Sequence, residues 1–94
     1  MKKNTVTKAL IDSLCKRIEY KVTVVEGTNT TLAIAVLDGF TLAVGKSSCV
    51  DPANFSKTMG EMIARENALD ESRELLWQLE GYVLHKALKE SGDI

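Results

Sequence analysis

Ninety-four residues give room for one hydrophobic core and almost none for a second domain. A hydrophobic fraction of 45% with 27% charged residues excludes a disordered chain. Twelve basic against 13 acidic residues, net charge −1, removes any global electrostatic case for nucleic acid, which calls for a large excess of Lys and Arg. So short a chain buries only about 60 to 65% of its unfolded surface, so burial between copies is an available source of further stability. Cys15 and Cys49 are the only cysteines and show no CxxC spacing, which suits free thiols in a reducing cytoplasm. Lys2 and Lys3 precede no apolar run of signal-peptide length, and no window nears 18 continuous apolar residues, so the expectation is neither export nor membrane insertion.

In chain order, Val6, Leu10, Leu14 and Ile18 recur every four residues, with Ala9, Ile11 and Cys15 widening the stripe. That spacing predicts an amphipathic helix, with Thr5 or Asn4 as its N-cap. From Tyr20 to Val25 the β-branched residues predict a strand, and Glu26–Gly27–Thr28–Asn29 a turn. Thr31 to Leu37 is a second β-prone run. Asp38–Gly39 is the strongest hairpin signal, because both central positions of a type I′ turn need positive φ, and Phe40 to Val44 returns as the third strand. Asp51–Pro52 suits the N-cap and first position of a helix that starts there or within a turn of there. Helical spacing then runs from Phe55 to about Glu90, with Gly92 as terminator. The predicted fold is α+β, a single domain with an N-terminal helix, a three-stranded antiparallel meander and a long C-terminal helical half. Forty residues would make a rod of about 60 Å, too long for a compact monomer. Either the helix breaks, at Gly81 or Asp70–Ser72, and folds back, or copies pair along it.

Chemistry is sparse. One histidine, His85, with no HExxH, no paired cysteines, no GxGxxG and no GxxxxGK[ST] argues against a metal site, a nucleotide cradle of the common kinds or a cofactor. The carboxylates Glu61, Glu66, Glu71, Glu74 and Glu80 scatter round the helix instead of pairing for acid–base work. Ser47, Ser48 and Cys49 lie beside a helix start, where amide dipoles lower a thiol pKa and can hold an anion; Cys49 reads equally as a small buried residue. Lys46, Asn54, Phe55 and Arg65 offer a cation, an amide, a ring and a guanidinium, and His85, Lys86 and Lys89 form a basic end. Such groups suit a phosphorylated, ring-bearing small molecule. Against that, Arg65 reads also as an ion-pair partner of Glu61, Lys86 and Lys89 as complements of the helix dipole, and Trp77 and Tyr82 as core or interface aromatics.

The ordered run Asp38–Gly39–Phe40–Thr41, Val44–Gly45, Ser48 to Phe55, Gly60, Ile63 to Ala68 and Trp77 to Leu84 resembles a family of small tailed-phage proteins, named after gene products of two enterobacterial phages, with the signature GFTVVG-S-CV-P-NF followed by W-P-L-E-G-Y-L-L. Gln78 stands where that pattern has proline, and the spacing from Ala68 to Trp77 is about one helical turn longer. The pattern is also similar to that of Thoeris-type anti-defence sponges, homo-oligomers that sequester cyclic signalling nucleotides without cleaving them. That similarity implies a non-enzymatic protein of the host cytoplasm, with Phe55 stacking on a base and Arg65 with the basic end (His85, Lys89) holding phosphates. A small module that binds and inhibits a host protein is the alternative expectation.

Overall fold

A computed structural model describes residues 5–93. Helix α1 spans Lys8–Lys16, strands β1, β2 and β3 span Glu19–Val24, Thr30–Leu37 and Phe40–Ser48, a 3-10 turn covers Pro52–Asn54, and helix α2 runs from Lys57 to Glu90. The strands form an antiparallel meander in the order β1-β2-β3, so the α+β expectation holds element by element. Asp38 (φ 51°) and Gly39 (φ 82°) both take the left-handed conformation that the tight β2–β3 turn requires.

Three boundaries differ from the expectation, and one open alternative is decided. The N-cap of α1 is Thr7, whose Oγ1 accepts from Leu10 N–H at 3.2 Å; Thr5 lies outside the helix, and Asn4 lies outside the described residues. Strand β3 continues to Ser48, because Gly45, Lys46 and Ser47 pair with Ala33, Leu32 and Thr31, and a paired partner outweighs weak strand propensity. Asp51 does act as a cap, accepting from Ala53 N–H at 3.0 Å, but of the 3-10 turn; Ser56 caps α2, its Oγ accepting from Met59 N–H at 3.2 Å. Lastly, α2 breaks at neither Gly81 nor Asp70–Ser72 and is one helix of 34 residues, about 51 Å long. It ends as expected, with Gly92 at φ 82° and Asp93 N–H donating to Leu88 C=O at 2.9 Å.

The core is built from small residues. Gly60, Ala64, Ala68, Ser72 and Leu76, one residue every four, are the buried positions of α2, and they lie on the face of the sheet that carries Thr31, Ala33, Ala35 and Leu42. Ile11 of α1 and Ile18 close the core at its end, and Arg73 Nη1 donates to Asp12 Oδ1 at 2.6 Å to clasp α1 against α2. Lys8 and Arg73 together hold the Asp12 carboxyl below the ordinary carboxylate range.

Small residues let helix and sheet approach closely, and two hydroxyls are caught between them. Thr31 Oγ1 and Ser72 Oγ are fully buried without a hydrogen-bond partner. Burying an unpaired hydroxyl costs about 1 to 3 kcal/mol, so Thr31→Val, which keeps the shape and removes the hydroxyl, should stabilise the domain by about 1 kcal/mol or more. A urea midpoint that stays put or falls would contradict this.

Candidate functional site

Where β3 ends and α2 begins, the chain folds round a cavity of ≈ 180 Å³ lined by Asn29, Ser47, Ser48, Cys49, Asn54, Phe55, Ser56, Met59, Gly60 and Ile63. Its walls follow from local rules. The β2–β3 ladder carries Ser47 and Ser48 to the cavity, and Cys49 N–H donating to Asn29 C=O at 3.1 Å brings in the β1–β2 turn. Asp51 then fixes the corner: its carboxylate accepts from Ala53 N–H and from Asn54 Nδ2 at 3.2 Å, and its carbonyl accepts from Cys49 Sγ at 3.1 Å. Ser48 Oγ lies 3.1 Å from Thr30 Oγ1. Phe55, half-buried, closes the cavity beside Gly60. The lining thus offers hydroxyls, side-chain amides, one thiol and one ring at the N-terminal, positive end of a long helix.

Of the six residues singled out for ligand binding, Asn54 and Phe55 share this cavity. Lys46 lies one strand position further along, on an open groove with Leu32, Val44, Asn67, Asp70 and Glu71. Arg65 is on the opposite flank of α2, in a separate cavity of ≈ 410 Å³ with Tyr20, Thr58, Glu61, Met62, Glu66 and Leu69. The ion pairs among the described residues join Lys8 to Asp12, Arg17 to Asp38 and Arg73 to Asp12; Glu61 and Arg65 form none. Burial pushes the Tyr20 hydroxyl up, the neighbouring Cys15 adds to that, and Arg65 opposes it. His85 and Lys89 lie about 28 and 32 residues into α2, some 40 to 50 Å from Phe55 along the axis, so one chain does not bring them to the same small molecule. Sequence reasoning missed Asn29 and Tyr20, which arrive at their cavities only through strand pairing and helix packing.

Trp77 and Tyr82 are not core residues: they are 39% and 64% exposed, and the Tyr82 ring lies 6.3 Å from that of His85. Among the described residues no group of three His, Cys, Asp or Glu is placed to hold a metal ion, and no described helix is long and apolar enough to cross a membrane.

A single antiparallel meander with one long helix laid across it, and a largely apolar cavity with a few polar groups at their junction, defines a small two-layer α+β domain. The chain belongs to the phage protein (N4 Gp49/phage Sf6 gene 66) family, whose model matches residues 6–88. No curated protein and no solved structure matches it.

Proposed function

We propose that this phage protein is non-enzymatic and acts by binding and sequestering a cyclic nucleotide-type signalling molecule as a homo-oligomer in the host cytoplasm. The observation that carries the reading is the junction cavity. A ring, Phe55, stands among amides and hydroxyls at the positive end of α2, which supplies stacking for a base and donors for an anion. At ≈ 180 Å³ it is smaller than the roughly 300 to 1,000 Å³ that whole ligands fill, so a second copy is needed to enclose a larger nucleotide. The similarity to nucleotide sponges noted above points the same way.

Calorimetry against cyclic di- and trinucleotides and cyclic ADP-ribose isomers tests the proposal. At least one should bind, and Phe55→Ala should weaken it by roughly tenfold or more, the value of one stacked base at about 1 to 3 kcal/mol. The nucleotide should be recovered intact from denatured complex. No binding by any of them would sink the reading.

The alternative, an interaction module that inhibits a host protein, is favoured by one observation. Met59, Met62 and Ile63 are 37 to 50% exposed on adjacent turns of α2, and such adaptable apolar side chains suit a protein partner. A pull-down from host lysate that recovers nothing counts against it.

A further inference from the structure

The chain carries more surface than its mass requires. It exposes 6576 Å², whereas a compact monomer of 10.3 kDa exposes roughly 5,400 Å². Its radius of gyration is 17.2 Å against about 12 Å for a compact domain of this length. Helix α2 is about 51 Å long in a molecule with a 60 Å long axis, and its buried positions end at Leu76. The surplus of roughly 1,200 Å² exceeds the about 800 Å² per partner that a standard interface buries.

The segment of α2 after Leu76 is only partly covered by its own chain: Leu84 lines an open cleft with Val6 and Leu10, while Trp77 stays 39% exposed. Trp77, Gly81, Leu84 and Leu88 follow one another at spacings of four, three and four residues, the spacing by which one helix seats against another. Gly81 has no explanation within the single chain. A Cβ there would meet nothing within 4 Å, its backbone is helical, and glycine inside a helix costs about 1 kcal/mol relative to alanine. A glycine between a tryptophan and a leucine leaves room there for a second backbone to pass close by.

Charge sets the direction. In the turns before Gly81 stand Asp70, Glu71, Glu74 and Glu80, and the one cation among them, Arg73, is engaged by Asp12. In the turns after it stand Lys86, Lys89 and His85, with Glu90. Parallel helices would set like against like. Antiparallel helices crossing at Gly81 set the acidic stretch of each against the basic stretch of the other, with Glu74 level with the partner's Leu88, next to Lys89, and Trp77 level with the partner's His85.

We propose that the C-terminal end of α2 is a docking surface for a second copy of this chain, joined as an antiparallel pair that crosses at Gly81. This rests on the self-association part of the functional reading and not on the ligand. It assigns His85 and Lys89 to the interface between copies instead of to the nucleotide.

The test uses the full chain. Sedimentation should give a dimer at micromolar concentration whose dissociation constant rises with salt, and Gly81→Leu should raise that constant by tenfold or more while helicity by circular dichroism is retained. With Cys15 and Cys49 replaced by serine, Gly81→Cys should form an intermolecular disulfide on mild oxidation. Leu88→Cys should not, because antiparallel pairing holds those two positions about 21 Å apart along the axis. Cross-linking through Leu88→Cys would overturn the antiparallel arrangement. An oligomer that survives Gly81→Leu, with no cross-link through Gly81→Cys, overturns this interface and leaves self-association standing. A chain that is monomeric at all concentrations overturns both, and with them the enclosure of a larger nucleotide between copies; loss of this interface alone leaves nucleotide binding by calorimetry as a separate result.

Discussion

Gly45→Ala should remove most of the stability of the domain, about 4 kcal/mol or more, out of roughly 5 to 14 kcal/mol expected for a chain of this length. Gly45 is buried in β3, opposite Ala33, directly under α2. A Cβ there would lie 2.0 Å from Ala64 C=O, 2.3 Å from Ala68 N and 2.9 Å from Ala68 Cα. All three are backbone atoms of a regular helix, so no side chain can turn aside, and the only relief is for α2 to lift from the sheet. Lifting would open the contact along Gly60, Ala64, Ala68 and Ser72 that makes up the core. Overpacking ordinarily costs about 1 to 3 kcal/mol; this case goes beyond it because helix and sheet must separate together. Chemical denaturation followed by circular dichroism reads the result, and a loss under 1 kcal/mol would mean that the helix-to-sheet distance is not set at Gly45.

Ile11→Ala should cost about 3 kcal/mol, within the range of about 2 to 5 for a fully buried aliphatic side chain cut back to alanine. Ile11 is the one buried residue of α1 and among the largest fully enclosed side chains. A nine-residue helix does not hold its shape alone in water, so the loss should be concentrated there. Amide exchange should speed up across Lys8–Lys16 while β2 and the buried stretch of α2 keep their protection. Uniform loss of protection through the whole molecule would show instead that α1 is an integral part of the folding unit.

What the sequence disclosed and what it hid divide along local and non-local causes. The Asp38–Gly39 turn was legible because its requirement, two adjacent residues at positive φ, is met or refused by those two side chains alone. The extension of β3 to Ser48 was not, because Gly45, Lys46 and Ser47 have poor strand character and become a strand only by pairing with β2 beneath α2. Asp51–Pro52 carried a correct capping signal for a turn that ends at Asn54, and Ser56, a plainer cap, opens the long helix. The continuity of α2 was beyond local reading, since one glycine at a cost of about 1 kcal/mol does not break a helix held along much of its length by packing. At the candidate site, Asn54 and Phe55 came out together because they are neighbours in the chain and at the same corner. Arg65, ten residues on, was chosen for its chemistry, and the helical turn carried it to the other flank. His85 and Lys89 share the chain's basic character at the far end of α2, some 40 to 50 Å from Phe55 along the axis.

One contact along β3 has a bearing on how concentrated the protein can become. β3 lies at an edge of the sheet, and Cys49 pairs with Asn29 across the ladder, so by alternation the backbone groups of Lys46 point outward, away from β2. Such outward groups are the template on which a stray strand adds and aggregation begins. Asn67 reaches down from α2 and donates its Nδ2 to the Lys46 carbonyl at 2.9 Å. The same helix that supplies the core thereby occupies the rung where a foreign strand would take hold, so one side chain both ties α2 to the sheet and blunts its exposed edge.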